Sequence, residues 1–239
     1  MSSLRPAEAS RFWRQVARGG RPRLLRGGCA DWPARRRWSL EALSQSVQGR
    51  AAKRYLANPE TTVTIEMLTF GGAGIAGGGV YQIPLSQADV LREALLRPAA
   101  WGALDDTEDS LWLTGRGQCT PMHFDFPHSL VALFQGEKCF TVYSPWASGS
   151  LYGHSWRGPT PTFSPVDPGA LSLRHPRAAG LPAFVCTLRA GDLLYLPAGW
   201  WHHVEALSDC VGYNSFWSRG LSRLVRRAAL AYRERYRTL

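Results

Sequence analysis

Apolar residues fall at helical spacing near both ends of this chain and in short strand-like runs between them. Residues 6–18 put Phe12, Trp13 and Val16 on one side of a helix that Gly19-Gly20 stops. A short strand is expected at Arg23–Arg26, and Arg35-Arg36-Arg37 reads as a solvated loop. Ser39 is placed to cap a second helix, since Leu40, Leu43 and Val47 recur at helical spacing. Thr61–Phe70 is rich in β-forming residues, and Val80–Pro84 is extended again after the glycine-rich Gly71–Gly79. Ser86 with Asp89 has capping-box spacing for a helix from Gln87 to Arg97, which Pro98 ends. From Leu111-Trp112-Leu113 onward the pattern is β. His128–Gln135 is a strand, Gly136-Glu137 a tight turn and Lys138–Tyr143 its hairpin partner. Leu193–Leu196 lies between turns at Ala190–Asp192 and Pro197–Gly199, and Cys210–Trp217 is the last strand. Leu221–Tyr236 is an amphipathic helix, apolar at Leu221, Leu224, Val225, Ala228 and Tyr232. The pattern predicts a mostly β chain flanked by helices.

Two stretches of this pattern carry candidate chemistry. His123-Phe124-Asp125 sets two ligand side chains at i and i+2, which share a face in an extended strand. Alone, such a pair is most simply a hydrogen-bonded couple. A second imidazole from the distant Trp200-Trp201-His202-His203-Val204 completes two histidines and one carboxylate, a set suited to non-haem Fe(II) with open positions. Lys138 enters an apolar row with Phe140 and Val142, and a buried lysine needs an anion or loses its proton. Of 28 basic residues only Lys53 and Lys138 are lysine, so a compact ammonium is favoured over a guanidinium fork there. Gly72-Ala-Gly74-Ile-Ala-Gly77 matches a dinucleotide-binding fingerprint in letters only: an extended segment follows it where a helix is required. It reads as a loop near the substrate entrance.

Several motifs in order resemble one family: Thr120-Pro-Met-His123-Phe-Asp125, Gln135-Gly-x-Lys138, Phe140-Thr-Val-Tyr-Ser-Pro145, Leu151-Tyr152, Ala190-Gly-Asp-Leu-Leu-Tyr-Leu-Pro197 and Trp200-Trp-His202-His-Val. The chain is similar to the cupin-like JmjC oxygenases, Fe(II)- and 2-oxoglutarate-dependent enzymes, near the asparaginyl hydroxylase of hypoxia-inducible factor. The resemblance is strong over roughly residues 110–217 and fainter through Leu24–Gly27 and Asp31–Pro33. It implies a double-stranded β-helix, or jelly-roll, barrel. It also implies Fe(II) held by His123, Asp125 and His202, with 2-oxoglutarate and O2 as co-substrates and no catalytic residue beyond the metal ligands. Lys138 and the Thr120 hydroxyl are expected at the distal carboxylate of 2-oxoglutarate, with Asn214 or Ser215 nearby. Ser129 stands six residues after His123, where the asparaginyl hydroxylase has Asn; it can donate one hydrogen bond over a shorter reach. His203 faces outward or supports its neighbour, while His128, Trp201 and Trp217 are expected on the substrate side.

Composition adds limits. A 239-residue chain with 45% hydrophobic residues is expected to form one domain: N-terminal helices and strands over 1–100, a barrel over 110–217 and a helix over 220–237. No run of 18 apolar residues occurs, so no membrane span is implied, and no signal-peptide stretch opens the chain. Five cysteines without CxxC spacing fit reduced thiols and a cytoplasmic location. The +10 net charge belongs to the flanks. Residues 1–54 hold 13 basic and 3 acidic side chains and residues 219–239 hold 7 and 1, while residues 55–218 hold 8 and 14. Solvated helix faces explain this most simply; nucleic acid or an acidic protein is the functional alternative. The Ser144–Pro182 loop is a recognition candidate, with His154 and His175 as surface residues. The expected reaction is hydroxylation of a protein or peptide side chain. Alternatives are a modified tRNA nucleoside, a small molecule or natural-product peptide, N-methyl-lysine demethylation, and a binding module without activity. The C-terminal helix could pack on the barrel, form a homodimer or hold an acidic partner.

Overall fold

The computed structural model describes all residues except 1–5, 59–61, 72–74, 76–77, 87–88, 97–106, 155–159, 171–173, 219, 221–222, 226 and 229–239. Helix α1 (Pro6–Arg18) buries Phe12 and Val16, and ends where Gly19, at φ 72°, donates its N–H to the Gln15 and Val16 carbonyls. Helix α2 (Pro33–Arg37) takes in Arg35–Arg37, correcting the expected loop: Pro33 fits a first helical turn because the N–H it lacks has no partner there anyway. Helix α3 (Leu40–Ser46) starts as expected, with Ser39 Oγ accepting from Ala42 N at 3.1 Å.

Twelve described strands form two antiparallel sheets. They are β1 (Arg23–Leu25), β2 (Ala51–Asn58), β3 (Thr62–Thr69), β4 (Val80–Leu85), β5 (Glu108–Thr114), β6 (Cys119–Phe124), β7 (His128–Gln135), β8 (Glu137–Tyr143), β9 (Phe184–Arg189), β10 (Leu193–Leu196), β11 (Trp201–Ala206) and β12 (Cys210–Trp217). The major sheet runs β1-β10-β7-β12-β5-β4-β2-β3 and the minor one β6-β11-β8-β9. This is the expected mostly β, jelly-roll arrangement. One connection differs from expectation. β7 and β8 are not hairpin partners: β7 pairs with β10 and β12, and β8 with β11 and β9. Gly136, at φ 83°, turns the chain from one sheet to the other.

One face of the major sheet is covered by the helices, in a core where Trp32 and Trp38 meet Phe134 and Leu43 joins Tyr213 and Trp217. On the other face Val131 and Leu133 pack across to Phe140, Val142 and Leu188 of the minor sheet. The predicted helix at 87–97 is a 3-10 turn, Val90–Ala94; its cap is Asp89, which accepts from Leu91 N at 3.0 Å, rather than Ser86. Residues 87–88 and 97 lie outside the described residues, as do most of the Gly72–Gly77 motif and of the predicted C-terminal helix. Of the latter, residues 223–225 and 227–228 are helical and exposed.

Candidate functional site

The metal-ligand candidates sit on adjacent strands of the minor sheet. His123 on β6 lies directly opposite His202 on β11, with ring centroids 4.1 Å apart. Asp125 follows the end of β6, and its carbonyl accepts from Gly199 N at 2.8 Å, tying the Pro197–Gly199 turn to the site. Ligand atoms of His123, Asp125 and His202 all lie within 4.8 Å of one another. Thr120 reaches the same cavity although it is three residues before His123, a spacing that should place the two on opposite faces. A β-bulge resolves this: Thr120 pairs with Val204 while His123 pairs with His202, so Pro121-Met122 answers His203 alone.

Each imidazole is oriented through its back. His123 Nδ1 lies 2.8 Å from the Pro121 carbonyl and His202 Nδ1 3.0 Å from the Trp200 carbonyl. A carbonyl only accepts, so both Nδ1 atoms donate and Nε2 is left as the ligand atom of each ring. Burial, with the His202 ring beside it, holds His123 well below the ordinary histidine value, keeping it neutral. Burial pushes the Asp125 carboxyl up, against the opposing pull of His202. His202 Nε2 and Asp125 Oδ2 stand 3.7 Å apart, too far for a hydrogen bond but right for two groups sharing one ion. Two ring nitrogens and a half-buried carboxylate converging this way fit a divalent cation, and two histidines with one carboxylate fit Fe(II).

A cavity of about 920 Å³ opens from these residues. Lys138 on β8 projects into it from the row it shares with Phe140 and Val142; it is buried, and its Nζ donates to Thr114 Oγ1 at 3.1 Å. Burial lowers its pKa, with Cys210 opposing. Asn214 lines the cavity and donates to Ser129 Oγ at 3.4 Å, so Ser129 stands behind Asn214 rather than in the wall. Ser215 is one residue out of phase on β12, off the cavity wall and fully buried, which decides between the two.

The three expected substrate-side aromatics are elsewhere, and that expectation is corrected. Trp201 points away from His202 into a cluster with Met122 and Leu151, its Nε1 donating to Ser148 Oγ at 2.9 Å. Trp217 is buried on the helix-covered face, stacked on Tyr195 and His128. His128 Nδ1 accepts from Ala198 N at 3.3 Å and lies 2.9 Å from the Tyr195 hydroxyl, so its place is structural. From the long loop, Thr160, Thr162 and Phe163 do reach the cavity, and the Phe163 ring stacks on His123. His154 is half-buried against Thr160 rather than on the surface. His203 is half-buried outside the cavity wall, with burial lowering its pKa.

Residues absent from the expected site are Tyr55, Gln82 and Trp112. Tyr55 on β2 stacks on Trp112 of β5 at 5.6 Å and donates to Gln82 Oε1 at 2.8 Å. Burial, with the nearby Asp125 charge, pushes the Tyr55 phenol well above its ordinary value, so it is protonated at neutral pH. No apolar alternation marks β2, because the cavity face carries Lys53 and Tyr55.

Comparison with known proteins fits this geometry. The family described as "Cupin-like domain" matches residues 82–222. The chain belongs to the cupin-like JmjC family. The lysine-specific demethylase JMJ30 of Arabidopsis thaliana is 27% identical over 226 residues, 87% of this chain and 52% of that protein. The human bifunctional peptidase and (3S)-lysyl hydroxylase JMJD7 is 26% identical over 270 residues, 89% and 82% of the two chains. A shorter match, 35% over 95 residues, is to the tRNA wybutosine-synthesizing protein 5 of Danio rerio, covering 40% of this chain and 28% of that one. The X-ray structure of E. coli ycfD shares the fold at TM-score 0.59 and 19% identity, over 94% of this chain and 56% of that one. The chain thus spans about half the length of the plant relative and of the E. coli chain of that structure.

Proposed function

We propose that this chain is an Fe(II)- and 2-oxoglutarate-dependent oxygenase that hydroxylates a side chain of a protein or peptide. The observation that carries it is the convergence of His123, Asp125 and His202 within 4.8 Å in a cavity that also holds the buried Lys138. His123, Asp125 and His202 would hold the metal, leaving positions for 2-oxoglutarate and O2. The loaded centre supplies the oxidation: one oxygen atom of O2 enters a substrate C–H bond and the other enters 2-oxoglutarate, which leaves as succinate and CO2.

The chain's own residues do the positioning. The Lys138 ammonium, with the Thr120 hydroxyl on the same wall, is suited to the distal carboxylate of 2-oxoglutarate; a charge-assisted bond there is about twice as strong as a neutral one. Asn214, steadied by Ser129, adds a directional amide. Phe140, Leu133 and Val131 keep that end of the cavity dry.

The test is anaerobic loading with Fe(II) and 2-oxoglutarate, then admission of O2 and measurement of succinate with and without cell extract. Succinate release that needs His123, and that rises with extract treated with nuclease but not with protease, is the expected result. Release that survives His123→Ala sinks the proposed centre. Stimulation lost with nuclease and kept with protease moves the substrate to RNA.

A further inference from the structure

Beyond the metal ligands and Lys138, the cavity has a second wall, contributed by β2–β5 of the major sheet. Its charge is one-sided. The two lysines of the chain, Lys53 and Lys138, both line this cavity, while Asp125 is the only carboxylate among the lining residues and belongs to the metal centre. Among the described residues no further acidic group lines the cavity to receive a cationic substrate side chain.

Lys53 lies opposite Met67 of β3 and Gln82 of β4, and Gln82 lies opposite Trp112 of β5. These residues therefore form one row across adjacent strands. Gln82 is already committed, accepting from the Tyr55 hydroxyl and donating to Ser110 Oγ at 3.0 Å. The Trp112 Nε1–H is buried with no acceptor among the described residues. Lys53 is half-buried and forms no ion pair among the described residues, while Glu66, the nearest acid on the ribbon, pairs with Arg54 in the next register position. The row thus offers an ammonium and a buried N–H without an acceptor among the described residues. The buried indole N–H left unmatched is costly, and an anion would accept from it and offset the Lys53 charge, where a lysyl or arginyl group would meet like charge. At the rim the edge strand β3 exposes Ile65 and Met67, 40% and 70% accessible, an apolar border suited to residues flanking the recognised one in an extended peptide.

Building on the oxygenase reading, we propose that Lys53 and the Trp112 indole N–H form a carboxylate subsite for the prime substrate, which is an aspartyl or glutamyl residue in an extended peptide. The lysyl side chains of the plant lysine-specific demethylase and the human (3S)-lysyl hydroxylase are then the wrong charge for this cavity.

The experiment uses the full chain loaded with Fe(II) and 2-oxoglutarate and otherwise identical alanine-glycine peptides with Asp, Glu, Asn, Gln, Lys or Arg at the centre. Two readouts are taken: succinate release above the peptide-free rate, and calorimetric binding of each peptide in the absence of O2. The expected result is stimulation and binding by the Asp or Glu peptide, at least roughly tenfold tighter than its amide counterpart, as one charge-assisted contact implies. Lys53→Met removes that preference, Lys53→Arg largely keeps it, and Lys53→Glu turns it toward the Lys peptide. Equal binding of acid and amide peptides overturns the subsite, as does preference for Lys or Arg in the unmodified protein. A raised 2-oxoglutarate requirement in Lys53→Met also overturns it, by assigning Lys53 to the co-substrate. Absence of any peptide-free, His123-dependent succinate release is a different failure, that of the oxygenase reading itself.

Discussion

Replacing Lys138 with Met should move co-substrate affinity and protein stability in opposite directions. The methionine keeps the length and apolar stem of the side chain and deletes the ammonium. Of the three N–H donors of that ammonium, one is used by Thr114 Oγ1 at 3.1 Å. The others are available to the distal carboxylate of 2-oxoglutarate. A hydrogen bond to a charged group is worth about 1.5–3 kcal/mol, so the apparent 2-oxoglutarate requirement should rise about ten- to a hundredfold. Without 2-oxoglutarate the balance reverses. Burial lowers the pKa of Lys138 from the ordinary 10.5, so at neutral pH folding carries the cost of a desolvated charge. That cost, several kcal/mol for an isolated buried ion, outweighs the roughly 1 kcal/mol lost at Thr114. The apo variant should therefore melt higher, by about 2–4 °C per kcal/mol regained for a chain of this size. The sign with pH follows. A lysine depressed in the folded state binds fewer protons there than in the unfolded state, so apo stability rises as pH climbs from the folded value toward 10.5. Lys138→Met should flatten that rise. The assays are initial-rate succinate release against 2-oxoglutarate concentration and calorimetric melting of the apo protein over alkaline pH. An unchanged 2-oxoglutarate requirement, or a lower apo Tm, refutes the assignment.

Three further outcomes are expected. Gly136→Ala should destabilise by at least about 2 kcal/mol in chemical unfolding, because φ is 83° and a Cβ would stand 2.7 Å from Cys210 Sγ and closer still to the Asp209 carbonyl; a loss under about 0.5 kcal/mol would show that the intersheet corner relaxes freely. Arg92→Leu should cost about 3–5 kcal/mol by taking a charge partner from the wholly buried Asp109 carboxylate, and Arg92→Leu with Asp109→Leu should recover most of it; a double variant no better than the single one removes the ion pair as the cause. For Asp89, burial pushes the carboxyl up, but the hydrogen bonds from Arg50 and Leu91 N and the Arg50 and Arg92 charges outweigh it, and the net pKa lies below 3.8. Its contribution is complete above 3.8 and lost as pH falls through the lower folded value, so Asp89→Asn should melt lower at neutral pH and converge with the parent in strong acid; a constant offset at every pH refutes this.

Sequence by itself determined which residues form the candidate metal-binding group and the β character of their surroundings. His123 and Asp125 are two apart on an extended segment, and side-chain alternation then fixes their common face whatever the rest of the chain does. The same alternation put Lys138 with Phe140 and Val142, as observed. Ser39, the Gly19-Gly20 stop and the strands at β7 and β12 were legible for the same reason, since caps and periodicity are local. Tertiary structure alone decided four things. Thr120 joins His123 only because a bulge, a property of two paired strands, shifts its phase. β7 and β8 look like a hairpin because a turn reads the same whether the chain returns in its own sheet or crosses to another. Asn214 rather than Ser215 faces the cavity, since a run buried on both sides gives no inside or outside. The β2–β3 ribbon, with Lys53 and Tyr55, closes the site from some seventy residues upstream through backbone pairing with β4 and β5. Backbone pairing carries no residue code at such range, so which side chains meet across the cavity is fixed by the assembled sheets and not by any stretch of the chain.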